Sequence, residues 1–186
     1  YTTEKVYIAV ESGGVPHLFY NRDFEFWTPY TFRLRHAYKQ GAFWTVQTVA
    51  TEYDYSFTRY GSIVVDASDA VHLAYDHDEN YAAKYKTPGA ATEIVAQSNI
   101  SSPKYLSALF DKNDTLHSIY QGYCDGDYHL RYASHTDGLW SIETAVAGGT
   151  HRTPGMMPWT QTIAGEKARL TLDDDDTPYL AYRWHY

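Results

Sequence analysis

Apolar and polar residues alternate along this chain at a period of two, in short runs broken by Asp, Gly, Ser and Asn. No stretch keeps the spacing of an amphipathic helix, so the pattern predicts half-buried strands joined by tight turns. Four segments align without gaps: IAVESGGVPHLFY (8–20), IVVDASDAVHLAY (63–75), ALFDKNDTLHSIY (108–120) and LTLDDDDTPYLAY (170–182). Each reads apolar, any, apolar, acid, two residues, Gly or Asp, two residues, His or Tyr, two residues, Tyr. The acids are Glu11, Asp66, Asp111 and Asp173, and the turn positions are Gly14, Asp69, Asp114 and Asp176. Each copy predicts a hairpin whose turn uses the backbone-bonding chemistry of Asp and the freedom of Gly.

Two further strands follow in the first three copies: LRHAY (34–38), AKYKT (83–87) and LRYAS (130–134), then WTVQTV (44–49), ATEIV (91–95) and WSIETAV (140–146). The unit is therefore four antiparallel strands. Equivalent residues His17, His72, His117 and Tyr179 lie 55, 45 and 62 residues apart. Four-stranded units at such a repeat predict an all-β fold, a β-propeller. A face-packed sandwich explains short strands but not one hairpin four times over. The expected blades are 5–61, 62–104, 105–167 and an incomplete 168–186, the last with two strands, 168–172 and 178–183. A ring needs at least about four complete blades, so the remaining blades are expected from further chain or another subunit. The initial Tyr1 likewise suggests a processed product or an excerpt.

The repeat resembles a widespread family of extracellular β-propeller repeats, in which an apolar strand, a D-S-D-G-type turn, an H-I-A-Y-type strand, an L-K-Y-A strand and a G-x-W-x-x-E-T-V strand follow one another. LTLDDDDTPYLAY and LRYAS…GLWSIETAV carry the likeness, which extends over nearly the whole chain. The broad group is similar to sialidase-like propellers and to propeller-type polysaccharide lyases. It implies the fold and an extracellular or cell-surface location, but no single activity. Of the sialidase Asp-box only Ser134, Asp137, Gly138 and Trp140 echo here, with Asp and Gly adjacent. The lyase likeness is confined to HLAYDHDENYAAKY (72–85), and Arg59, Tyr60 and Gly61 stand where those enzymes have a histidine.

Composition narrows the partners. There are 15 Lys+Arg against 23 Asp+Glu, a formal charge of −8, which disfavours nucleic acid. No apolar run approaches the ~18 residues of a helical membrane span, so none is expected. Cys124 is alone, so no internal disulfide can form. The chain is tyrosine-rich, with 19 Tyr beside 7 Phe and 5 Trp, and such rings both favour strands and stack on ligands.

In a four-stranded antiparallel unit, the turns after the first and third strands share one face. The links after the second and fourth share the other. The insertions fall on that second face: 21–31, 50–61, 76–80, 121–128 and 147–168. Long loops are often functional. The candidate ligand-binding residues there are Trp27, Tyr30, Tyr55, Arg59, Tyr60, His77, Tyr123, Asp125, His151, Arg152 and Trp159. Rings beside charged groups suit carbohydrate, since a ring covers the C–H face of a sugar while charges take its hydroxyls. The expected function is a non-catalytic, lectin-like secreted module for a glycan or a partner surface. One alternative is a polysaccharide-degrading enzyme. A lyase would use His77 or His151 as base, Arg59 or Arg152 to neutralise the carboxylate and Tyr123 as acid, and a hydrolase would use Asp78 and Asp125. A structural scaffold is the other alternative. The repeated His17, His72 and His117 are expected to be hydrogen-bonded packing residues, and Trp44 and Trp140 packing anchors. No cofactor is expected, although the carboxylates of Asp173–Asp176 make that turn the best calcium candidate.

Overall fold

The computed structural model of the chain describes residues 5–22, 31–53, 60–77, 82–97, 104–124, 127–151 and 160–185. All regular structure among them is β. Sheet 1 runs β1 (Val6–Val10), β2 (Pro16–Arg22), β3 (Thr31–Gln40), β4 (Phe43–Tyr53). Sheet 2 runs β5 (Gly61–Val65), β6 (Val71–His77), β7 (Ala82–Lys86), β8 (Glu93–Gln97), and sheet 3 runs β9 (Lys104–Phe110), β10 (Leu116–Cys124), β11 (Asp127–Thr136), β12 (Leu139–Val146). These three are four-stranded antiparallel meanders, as the repeat predicts. The fourth sheet departs from the two strands expected. Its order is β13 (Gly149–His151), β14 (Thr160–Leu172), β15 (Pro178–His185). The extra strand β13 comes from within the 147–168 insertion and pairs with the early part of β14 through Gly149↔Thr162 and His151↔Thr160.

The hairpin turns explain the motif. In each, the amide of the turn residue donates to the carbonyl of the acid, as Gly14 N to Glu11 O at 2.9 Å and Asp69 N to Asp66 O at 3.0 Å. The turn residue lies at positive φ in every copy: Gly14 80°, Asp69 65°, Asp114 58°, Asp176 61°. Only Gly, or a short polar residue such as Asp, adopts that conformation readily. The acid carboxylate closes the turn, Asp66 Oδ1 accepting from the amides of Ser68 and Ala70 at 2.9 and 2.8 Å. Asp173 Oδ1 does the same for Asp175 and Thr177, both at 2.9 Å. Among the described residues no group of three or more His, Cys, Asp or Glu side chains is placed to hold a metal.

A second repeated device was not foreseen. Register shifts occur between Leu34 and Arg35, Ala83 and Lys84, and Leu130 and Arg131, which are equivalent positions. Such bulges sharpen the local twist and re-aim side chains. Just past two of them, Arg35 and Arg131 each donate to a threonine on the next strand, Thr48 and Thr144, both at 2.7 Å.

The sheets pack face to face in chain order. Phe19, Leu34 and Val49 of sheet 1 close on Ile63, Leu73 and Tyr75 of sheet 2. Ala74, Tyr85 and Val95 of sheet 2 share a core with Leu106, Leu116 and Tyr120 of sheet 3. Ile119 and Leu130 of sheet 3 meet Ala168 and Leu170 of sheet 4. Each buried aliphatic or aromatic side chain contributes about 1.5–3 kcal/mol. The strands that precede the Asp turns are neighbours, β1 beside β5, β5 beside β9 and β9 beside β14. This succession of radially stacked sheets is propeller-like. The face a sheet turns to its predecessor is called here its leading face, and the opposite one its trailing face.

Turn acids also tie successive sheets together. The Ser12 amide and hydroxyl donate to Asp69 at 2.8 and 2.6 Å. The Ala67 amide donates to Asp114 at 3.0 Å, and Lys112 Nζ donates to the Asp174 carbonyl. The bonds from Ser12 hold the Asp69 carboxyl below its usual range. The turn positions are thus joints, not merely solvated corners. Asp69→Gly is expected to lower the melting temperature although Gly suits the backbone better, because Gly14 shows that the turn itself accepts glycine. A melt equal to or above that of the parent protein would mean that the joint carries no stability.

Candidate functional site

Trp27, Tyr30, Tyr55, Arg59, Asp125, Arg152 and Trp159 lie outside the described residues, as does Asp78. His77 and His151 end strands β6 and β13, their backbones opposite Ala82 and Thr160. All five expected insertions are smaller than the sequence indicates, because strands take residues from each: 21, 22 and 31; 50–53 and 61; 76 and 77; 121–124 and 127–128; 149–151 and 160–168. Asp76 and His77 belong to β6, and β10 and β11 stay paired to Cys124↔Asp127, so only 125–126 link them. Tyr123 is therefore a strand residue opposite Tyr128, with ring centroids 4.9 Å apart and planes 72° apart. Lys104 Nζ stands 5.4 Å from the Tyr128 ring centre.

Tyr60 anchors the more informative cluster, where the first strands begin. Lys5 Nζ sits 3.7 Å from the centre of the Tyr60 ring, within cation–π range. Tyr60 also meets Tyr105 with centroids 4.7 Å apart. Behind them Asp76 is buried, accepting the Tyr60 amide at 2.8 Å and donating its own amide to the Tyr60 carbonyl at 3.1 Å. Burial lowers the Lys5 pKa; the Asp76 charge opposes that and the Arg169 charge adds to it. Burial raises the Tyr7 hydroxyl, tempered by the amide of Gly61 that donates to it at 2.9 Å, and Tyr7 too feels Asp76 and Arg169. Groups from β1, β5, β6, β9 and β14 and from the residues just before β1 and β5 thus converge on one end of the inner strands.

Lys5, Tyr60 and Tyr105 stand three residues before Ile8, Ile63 and Ala108, and Lys167 stands three before Leu170. One repeat position therefore presents Lys, Tyr, Tyr and Lys in turn, at the end away from the Asp turns. Sequence reasoning found Tyr60 but missed Lys5, Tyr105 and Asp76. The signal was available in that column of the repeat, just outside the aligned motif. Half-buried rings and an ammonium can together cover an apolar ligand face and bond to hydroxyls around its rim, while buried Asp76 holds the Tyr60 backbone in place.

The histidines lie elsewhere, beside the Asp turns, His17 and His117 buried and His72 partly so, and all three are hydrogen-bonded as the repeat predicts. His72 Nε2 donates to Asp66 Oδ2 at 2.8 Å, and its Nδ1 accepts from the Tyr85 hydroxyl. His117 joins Asp111 and Tyr132 in the same way. Burial pushes the Asp66 and Asp111 carboxyls up, but bonds from the histidine and the turn amides outweigh it and hold both low. Burial raises Tyr85 to about 12. In sheet 1, His36 takes the tyrosine position: His17 Nε2 bonds Glu11 at 2.6 Å, His17 Nδ1 meets His36 Nε2 at 2.8 Å, and Gln47 meets His36 Nδ1 at 2.9 Å. Trp140 is a packing anchor against Tyr85, centroids 5.6 Å apart, whereas its equivalent Trp44 is open to solvent.

No protein-family model matches the chain, and no curated protein matches it. Among solved structures, a fucose lectin from Kordia zhangzhouensis in complex with methyl-fucoside is similar with a TM-score of 0.48 and 11% identity, over 77% of this chain and 100% of the lectin. An endo-arabinase from Bacteroides thetaiotaomicron VPI-5482 is similar with a TM-score of 0.46 and 12% identity, over 98% of this chain and 89% of the enzyme.

Proposed function

We propose that the four sheets are propeller blades, the fourth reaching back from the expected 168–186 into the 147–168 insertion through β13 and the start of β14, and that the chain is an extracellular, non-catalytic module that binds glycan through the face opposite the Asp turns. The observation that carries this reading is the Lys5–Tyr60–Tyr105 cluster above buried Asp76. The exposed parts of the Tyr60 and Tyr105 rings offer apolar surface to the C–H groups of a sugar, and the Lys5 ammonium offers a partner for hydroxyls. In this reading Trp27, Tyr30, Tyr55, Arg59, Asp125, Arg152 and Trp159, assigned to that face on the sequence argument alone, would extend the site outward with His77, Tyr123 and His151.

A glycan array identifies the ligand, and titration of variants locates it. Tyr60→Ala, Tyr105→Ala, Trp27→Ala and Trp159→Ala are each expected to weaken binding by about tenfold. Ring stacking is worth ~1–3 kcal/mol on nucleobases and less on sugars, and tenfold corresponds to ~1.4 kcal/mol. Asp137→Asn, on the opposite face and at a φ of 53° that Asn tolerates, should leave binding unchanged. Binding lost in Asp137→Asn but intact in all four aromatic variants would place the site on the other face and discard this reading. New absorbance from unsaturated products of a uronate polysaccharide, abolished by His77→Ala, would replace binding with catalysis.

A further inference from the structure

The internal repeat shows what covers a leading face. Ile63, Ala108 and Leu170 occupy one repeat position on β5, β9 and β14, and are 6%, 8% and 8% exposed beneath the preceding sheet. Their equivalent in sheet 1, Ile8, is 64% exposed. Val6 and Val10 beside it are open as well, as are Trp44 and Val46 on β4. The opposite end of the stack is also uncovered, since Tyr179 and Ala181 on the trailing face of sheet 4 are exposed. One chain therefore carries both halves of a junction that it builds three times internally.

The side-chain sizes at these two open faces match. Two repeat positions meet at each junction, one on the trailing face (Phe19, Ala74, Ile119, then Ala181) and one on the leading face (Val6, then Gly61, Leu106, Ala168). Phe19 lies so close over Gly61 that a Cβ there would come within 2.7 Å of its ring. Ala74 shares a core with Leu106, and Ile119 with Ala168. Large meets small three times, and the unfilled pair, Ala181 with Val6, keeps the rule. At the turn, position 14 would face the run Asp173–Asp176, and there the repeat has Gly instead of another carboxylate.

We propose that a second copy of this chain docks the trailing face of its sheet 4 onto the leading face of sheet 1, head to tail, repeating the internal junction between molecules. The interface is heterologous, so two different patches meet, and the assembly closes as a ring if the rotation permits.

Light scattering across a range of concentrations tests it. The mass should rise from one chain, 21.3 kDa, to a multiple of it as concentration rises. Ile8→Asp and Ala181→Asp should each weaken association by about a hundredfold or more, because the carboxylate would be buried without a partner. Both positions are open in the single chain, so the circular dichroism spectrum and the melt should stay as in the parent protein. If Ile8→Asp disturbs β1, Val46→Lys on the same face should give the same loss. The decisive sample is an equimolar mixture of Ile8→Asp and Ala181→Asp, in which each variant keeps one sound face, so a two-chain species should return. A parent protein that stays at one chain throughout, association untouched by either substitution, or a mixture that stays monomeric would each overturn the proposal.

Discussion

Phe19→Ala is expected to lower the unfolding free energy by about 3–5 kcal/mol, and Gly61→Leu by about 1–3 kcal/mol or more. The double variant should lose less than the two added together, by about 0.5–3 kcal/mol. Phe19 is 2% exposed between sheets 1 and 2, and its truncation leaves a cavity at the centre of that junction. Leucine at Gly61 drives into the same ring, and a Cβ would also stand 3.2 Å from the Ala74 carbonyl. Together the changes recreate the arrangement of the next junction, where alanine at position 74 shares a core with leucine at position 106. Denaturant melts of all four proteins measure the coupling, provided the slope with denaturant is unchanged. If the double variant is as unstable as the sum of the single ones, the exchange of large for small is not what sets these junctions, and the size argument for docking between copies fails with it.

The hairpins were legible because their signals are local. An acid, a residue at positive φ three positions on and alternating apolar flanks all belong to one short window. Ser12 and Asp69 are 57 residues apart, so the joint between their turns leaves no local mark. The three-residue β13 is too short to show a period. The segment around Tyr123 was read as an insertion because the repeated hairpin ends at Tyr120 and the next repeated strand starts at Leu130, while β10 and β11 remain paired through it. Trp44 and Trp140 occupy one column of the repeat, and only the presence of a preceding sheet separates a packed ring from an open one. Tyr60 was found on the insertion face, but its partners were not, because Lys5 and Tyr105 reach it from the starts of other strands. Several of the remaining candidate residues, Trp27 and Trp159 among them, lie outside the described residues and stand on the sequence argument alone.

Stability is expected to fall as pH drops from about 6.5 toward 4, and His36→Tyr should remove most of that loss. Burial and the neighbouring His17 lower the His36 pKa from 6.5 to about 4. In the neutral state the bonds run in one direction. Gln47 donates to His36 Nδ1, His36 Nε2–H donates to His17 Nδ1, and His17 Nε2–H donates to the Glu11 carboxylate, so every ring nitrogen is used. A second proton on His36 would confront the Gln47 amide and add charge to a buried ring beside buried His17. Between pH 6.5 and 4 the unfolded chain therefore binds a proton that the folded chain refuses, and stability rises with pH across that window. The full difference is about 3 kcal/mol, and screening through the partly open Glu11 side reduces it to about 2 kcal/mol. The loss is absent above 6.5 and complete below 4. The low-lying Asp66 and Asp111 carboxyls add their own loss only at more acidic pH, because a depressed carboxylate stabilises above its unfolded value and ceases to as it protonates. Tyrosine at position 36 restores the pairing that His72 and His117 make with Tyr85 and Tyr132, and it has no group that titrates in this range. Denaturant melts at pH 7.5 and 4.5 decide the matter. An equal loss in the parent protein and in His36→Tyr would assign the acid sensitivity to other groups.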